Sequence, residues 1–199
     1  MAHIADTHNR NLKYHKEYRE VFKHIYKKHK NHKVDYNIHC GDIAHTKTQI
    51  SPEFVEMCSD FFKSLADIAP TYIILGNHDG NLRNKSRQNA ITPIVNALDN
   101  SNIHLLADAG ETIVTDVLAF NVLSVCDEDN WVKPSREDRF NIAFYHGCVA
   151  GVSTDAGWVM EYGDHDVSIF AGHDFAMLGD IHKTNQILDE DGRVRYCGS

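Results

Sequence analysis

The aliphatic run Tyr72-Ile73-Ile74-Leu75 leads without a break into Gly76-Asn77-His78-Asp79. A short apolar run bounded by turn residues reads as a buried strand. This one delivers an amide, an imidazole and a carboxylate to the strand's carboxyl end, where open α/β sheets hold their ligands. Gly and Asn also build tight turns with no ligand present, so the stretch alone is ambiguous. Its repetition is not. Earlier apolar runs end in Asp6-Thr7-His8 and in Gly41-Asp42, and later ones in His146-Gly147 and Gly179-Asp180-Ile181-His182.

Between these endings the chain alternates strand and helix. The first strand covers 1–5, and Asp6 and His8, two apart on an extended chain, share one side of it. A helix over about 13–31 follows, with Tyr14, Tyr18, Val21, Phe22 and Ile25 at helical spacing as its buried face. Its other face carries Lys13, Lys16, Arg19, Lys23, Lys27, Lys28 and Lys30. That face reads as solvated, with a phosphate-backbone contact surface as the functional alternative. The second strand, 34–40, ends at Gly41, which lets the backbone turn tightly and point Asp42 into the site. Ser51-Pro52-Glu53 starts a second helix with an N-cap, a first-position proline and a first-turn acid. Phe54, Cys58, Phe61, Phe62 and Leu65 form its core stripe.

After a polar loop at 80–88, with Arg83, Lys85 and Arg87 beside the site, come a short helix over 92–98 and a strand over 103–106. Strands then follow in succession: 112–114 and 118–125 around a Thr115-Asp116 turn, 140–145, and 175–178. A closing hairpin pairs 186–188 with 194–196 across Asp191-Gly192. The segments 127–138 and 151–166 read as loops. This order implies an α/β (α+β) fold, a four-layer sandwich of two mixed β-sheets flanked by helices, built as one domain over 1–199.

Composition narrows the function classes. A chain of 199 residues suits a single sizeable domain. No apolar run approaches the ~20 residues of a membrane span, and the N-terminus leads directly into charged residues, unlike a secretory segment. Five scattered cysteines without a C-x-x-C pair fit reduced thiols. The expected location is the cytoplasm, or association with nucleoid or nucleus. The net charge of −8 argues against a blanket nucleic-acid binder, although carboxylates of a metal site count as negative until cations bind. There is no Gly-x-Ser-x-Gly elbow for a serine nucleophile and no Gly-Lys-Ser/Thr phosphate loop.

Collected, the strand endings supply Asp6, His8, Asp42, Asn77, His78, His146, Asp180 and His182. Oxygen and imidazole donors without thiolate suit Mn²⁺, Fe²⁺, Mg²⁺ or Zn²⁺. They suffice for two ions, the clamp used in in-line displacement at phosphorus. One carboxylate must then bridge, and Asp42 is the candidate because ligands flank it on both sides. A water between the ions loses its proton and becomes the nucleophile, while an imidazole donates a proton to the leaving oxygen. The histidines His3, His15, His24, His29, His32, His39, His104, His165 and His173 read as surface or satisfied core residues.

The ordered set Asp6-x-His8, Gly41-Asp42, Gly76-Asn77-His78-Asp79, His146-Gly147 and Gly179-x-x-His182 resembles the calcineurin-like metallophosphoesterases along nearly the whole chain. Within them it is most similar to the SbcD-type DNA repair nucleases and their archaeal, eukaryotic and phage counterparts. Gly41-Asp42-Ile43-Ala44-His45 leading into Ser51-Pro52, His78-Asp79 after Asn77, and Leu178-Gly179-Asp180-Ile181-His182-Lys183 followed by Tyr196-Cys197-Gly198-Ser199 carry that likeness. The resemblance implies that Asp6, His8, Asp42 and His182 hold one ion, and that Asp42, Asn77, His146 and Asp180 hold a second. It makes His78 the assistant of the leaving group and sets His45 beside the scissile phosphate. It implies manganese-dependent exonuclease and endonuclease action on DNA in double-strand break repair or recombination, an SMC-like ATPase partner, and a possible homodimer.

Two departures stand out. Position 180 is usually histidine in that family and is Asp180 here. A carboxylate still binds a divalent ion but adds negative charge and favours harder ions. The chain also stops at Gly198-Ser199, where family members continue into capping and ATPase-docking regions, so those parts are expected to be absent. Two other readings stay open: a small-molecule phosphohydrolase acting on nucleotides or cyclic nucleotides, and a metal-bound scaffold inactivated by Asp180.

Overall fold

A computed structural model describes residues 1–84, 86–154 and 156–198. Lys85 of the loop beside the site, Asp155 of the 151–166 segment and Ser199 of the closing motif lie outside the described residues. Two sheets stack face to face. The first has the order β1 (Ala2–Ile4), β2 (Asn37–Cys40), β3 (Thr71–Ile74) and β4 (Ile103–Leu106). The second runs β5 (Gly110–Thr115), β6 (Leu118–Leu123), β7 (Phe140–His146), β8 (Phe175–Gly179) and β9 (Val194–Tyr196). The second sheet is mixed, because β5 pairs antiparallel with β6 while the rest pair parallel. The first departs from the expected mixed pattern and is parallel throughout, since every connection within it crosses over through a helix or loop.

Strand alternation divides the core into layers. Ile38, Cys40, Tyr72 and Ile74 point inward and meet Phe120, Val122, Ile142 and Phe144 of the opposing sheet. Ile4, Ile73 and Ile103 point outward against the helices α1 (His15–His32), α2 (Pro52–Ala66) and α3 (Thr92–Leu98). Ala143, Tyr145, Ala176 and Leu178 form the outer face of the second sheet, covered by Val149, Val152 and Phe170 of its loops and of the short 3₁₀ turn Val167–Phe170.

Helix α2 starts as expected. Ser51 accepts the Phe54 amide at 3.1 Å, Pro52 opens the first turn, and the whole predicted stripe is buried. Helix α1 differs. Tyr14 sits in the left-handed region (φ 62°) just before the helix and is 58% exposed, and Val21 is 55% exposed. The contact face is Tyr18, Phe22, Ile25, Tyr26 and His29, rotated from the expected one because Phe22 stacks on Phe61 of α2 at 4.1 Å. His29 belongs in the core because Asn37 accepts its Nδ1–H at 2.7 Å. The lysines of the opposite face are exposed, and Arg19 reaches across to Asp60 and Glu56 of α2.

One boundary also shifts. The second strand begins at Asn37 rather than 34, because Lys33 caps α1 in the left-handed conformation and the chain must first leave that turn. The closing hairpin forms in the expected register, with Ile187 opposite Arg195 and the Leu188 and Tyr196 amides donating to the Val194 and Gln186 carbonyls at 2.9 and 3.0 Å, and its second arm also joins the sheet parallel to β8 as β9.

His39, wholly buried on β2, links to Thr7 Oγ1 at 3.3 Å. Burial, reinforced by the neighbouring His146, pushes its imidazole down to about 3. The unfolded chain therefore takes up a proton that the folded one refuses, and His39 contributes stability that is present above its ordinary value of 6.5 and lost as pH falls. Relative to His39→Gln, the parent should lose about 2 kcal/mol of unfolding free energy between neutral pH and about pH 4.5 in urea titrations. Parallel pH profiles for the two proteins would reject this account.

Candidate metal centre

All of the strand endings arrive at one edge of the sandwich. Asp6 and His8 follow β1, Asp42 follows β2, and Asn77 and His78 follow β3. From the second sheet, His146 closes β7, and Asp180 and His182 follow β8. The site thus straddles both sheets at the carboxyl ends of parallel strands, as expected for this architecture.

Local backbone conformation aims these side chains. Asp6 (φ 55°), His8 (φ 43°), Asp42 (φ 54°) and Asp180 (φ 95°) all lie in the left-handed region. Such conformations cost of order 1–3 kcal/mol each and persist where the surroundings over-determine them. Here they do. The Asp180 amide donates to both oxygens of Asp6 at 3.1 Å, and the His78 amide donates to Asp42 Oδ1 at 2.8 Å. Asp79, wholly buried, accepts the amides of Gly76 at 3.0 Å, Ile43 at 3.2 Å and Ala44 at 2.8 Å, which ties the loops after β2 and β3 together. Gly76 is required by contact, because a Cβ there would collide with the carboxylate and amide of Asp42. Gly76→Ala should therefore displace Asp42 and weaken metal affinity by about tenfold or more, as for losses of supporting contacts around metal ligands. Titration calorimetry checks this, and an unchanged affinity would show that the loop yields elsewhere.

The geometry brings the donors within reach of shared cations. Asp42 stands between two imidazoles, with Oδ2 3.5 Å from His8 Nε2 and Oδ1 3.3 Å from His146 Nε2. His146 Nε2 is also 3.8 Å from Asp180 Oδ1, and His182 Nε2 is 3.9 Å from Asp6 Oδ1. Three overlapping groups, Asp6-His8-His182, His8-Asp42-His78 and Asp6-Asp42-His146, each converge closely enough to hold a metal ion. The His146 ring donates Nδ1–H to the Cys40 carbonyl at 2.7 Å, which turns its buried Nε2 into the site without a hydrogen-bond partner among the described residues. Asn77 Oδ1 is likewise buried and without a partner. Buried polar atoms left unpaired are expensive, and a cation satisfies both.

Charge supports the same reading. Burial pushes the Asp6 carboxyl up to about 6, against the pull of His146. Burial also pushes Asp42 up, but contact with His146, the His78 amide and His8 hold it below the usual carboxylate range. For His146 burial pushes down, and Asp42, Asp6 and Asp180 outweigh it and raise the imidazole to about 9. A protonated imidazole thus neutralises the buried carboxylates where a divalent ion can do so instead. Burial takes His8 down to about 4, leaving it the neutral donor that a metal needs.

The flank formed by His78 is open. His78 is exposed, and its Nδ1–H donates to the His45 carbonyl at 2.9 Å, which leaves Nε2 free. Its ring lies 4.9 Å from that of His8, and the His45 ring lies 5.9 Å from His8 and 6.3 Å from His78. The positioning role of Asp79 was not legible beforehand, although its place directly after Gly76-Asn77-His78 was a signal. Lys47, whose Nζ donates to the Asn77 carbonyl at 3.0 Å, gave none.

Comparison with known proteins agrees with this geometry. The sequence model of a family described as "Calcineurin-like phosphoesterase" matches residues 1–177. The chain is also 37% identical, over 211 aligned positions, to "Uncharacterized protein R555" of Acanthamoeba polyphaga mimivirus, an alignment that takes in 99% of this chain. The chain spans 16% of that relative's length.

Proposed function

The chain belongs to the calcineurin-like phosphoesterase family, and we propose that within it the chain is a two-metal phosphodiesterase acting on DNA, a nuclease of the SbcD type. The observation that carries this reading is Asp42, whose two oxygens face His8 from one sheet and His146 from the other. A carboxylate so placed would serve as shared ligand to two ions, with Asp6, His8 and His182 the residues that would hold one and Asn77, His146 and Asp180 those that would hold the other. Ions bound there supply Lewis acidity, drawing charge from the phosphoryl oxygens and making water nucleophilic at neutral pH.

This chain's own residues do the rest. Asp6, Asp42 and Asp180 set the negative charge that retains divalent cations. Asp79 and the His78 amide fix Asp42 in place. His78, exposed and with Nδ1–H held by the His45 carbonyl, would act as the imidazolium, giving its Nε2 proton to the leaving oxygen and remaining as the neutral Nδ1–H ring. The open groove of about 650 Å³ that starts at His78 favours an extended substrate, whereas the net charge of −8 favours the alternative of a small phosphodiester. Manganese and an SMC-like ATPase partner belong to the same proposal.

The deciding experiment incubates end-labelled single- and double-stranded DNA with Mn²⁺, Mg²⁺ or chelator, alongside bis-(p-nitrophenyl) phosphate. DNA cleavage that depends on metal supports the nuclease reading and shows Asp180 to be a working ligand. Hydrolysis of the small diester alone transfers the assignment to small substrates. Inertness towards both would leave only the scaffold reading.

A further inference from the structure

We propose that Lys47 and Arg83 form a second phosphate subsite on the leaving-group flank, which makes the enzyme select polynucleotide diesters over diesters carrying a single phosphate. This inference rests on the phosphodiesterase reading and deepens it. The groove of about 650 Å³ is walled by the loop after β2, which carries His45 and Lys47, and by the loop after β3, which carries Asn77, His78 and Arg83. It meets the metal centre only through Asn77 and His78, with neither Asp6 nor His182 on its walls. It therefore extends from the side on which the leaving oxygen is protonated, where the remainder of the leaving strand must lie.

What sets Lys47 and Arg83 apart is their place, since both line the groove beside the metal centre. Arg19, Lys23, Arg136 and Arg193 are each paired with carboxylates on the surface. Lys47 and Arg83 have no carboxylate partner among the described residues, in a chain of net charge −8. Both are placed by neighbouring groups. The Asn77 carbonyl takes one ammonium proton of Lys47 at 3.0 Å, which anchors that charge to the metal-ligand loop with its other N–H groups still available. The Asn81 side-chain oxygen accepts the amides of Arg83 at 3.1 Å and Asn84 at 3.2 Å, and so fixes the turn on which Arg83 is carried. A guanidinium fork and an ammonium lining one groove suit a phosphodiester oxygen pair.

The test compares hydrolysis, with Mn²⁺, of a dinucleoside monophosphate, a trinucleoside diphosphate and bis-(p-nitrophenyl) phosphate by the parent, Arg83→Ala, Arg83→Lys and Lys47→Ala. The parent should show kcat/KM about tenfold or more higher on the diphosphate than on the monophosphate. Arg83→Ala should remove most of that ratio, mainly through KM, and lower the salt slope by about one, and Arg83→Lys should restore part of it. Lys47→Ala should likewise lower the ratio. Equal rates on the two nucleotide substrates, or variants that slow every substrate by the same factor, would overturn the subsite and leave the phosphodiesterase reading standing. Failure of the parent to hydrolyse even bis-(p-nitrophenyl) phosphate would overturn that reading and the subsite with it.

Discussion

Asp42→Asn should lose about a thousandfold or more in turnover, corresponding to roughly 4 kcal/mol of transition-state stabilisation, and should bind both ions poorly. The replacement is nearly isosteric. Asparagine accepts the left-handed conformation that Asp42 holds at φ 54°, and its oxygen still accepts the His78 amide. The fold should therefore survive. What goes is the charge on two oxygens that face His8 at 3.5 Å and His146 at 3.3 Å. An amide presents one oxygen acceptor and an N–H₂ group that repels cations, so neither proposed ion keeps its shared ligand. Without the carboxylate, the largest influence raising His146 also disappears. Metal content by mass spectrometry and calorimetry decides the matter. A variant that retains two tightly bound ions would remove Asp42 from the bridging position.

His78→Ala should behave differently. Its main-chain amide, which supports Asp42, is kept, and the side chain is exposed and hydrogen-bonded to the His45 carbonyl. Metal content should stay at the parent level. Turnover of DNA should fall by about 10²–10⁴, the usual contribution of a positioned general acid. The size of the loss should depend on the leaving group. An alkoxide leaving from DNA needs a proton, whereas p-nitrophenolate departs without one, so bis-(p-nitrophenyl) phosphate should suffer much less. Equal losses on both substrates would make His78 a phosphate binder and not an acid.

The sequence announced the site better than it announced the surfaces around it. Strand endings were readable because a four- or five-residue apolar run followed by Gly-Asp or Gly-Asn-His has few alternatives, and all of them meet at one edge of the sandwich. Helix α2 was readable because cap, proline and stripe agreed. Helix α1 was misjudged at Tyr14 and Val21 because its orientation depends on where Phe22 meets Phe61, a contact between distant segments that periodicity does not contain. The register of the closing hairpin was readable from its turn at 191–192, whereas the parallel pairing of its second arm with β8 was not, because that ladder joins segments outside the hairpin. The positioning role of Asp79 was hidden because a buried carboxylate that binds three amides has the same letter as one that binds a metal.

The left-handed conformations of Asp6, His8, Asp42 and Asp180 restrict the alphabet available at the heart of the molecule. Glutamate carries the same charge as aspartate yet favours neither this backbone region nor the short reach it allows. Asparagine and glycine keep the turn and forfeit the carboxylate. A mutational scan of these places will consequently report a mixture of two intolerances, one for chain shape and one for lost coordination. Asparagine separates them, and alanine, the customary probe, confounds them.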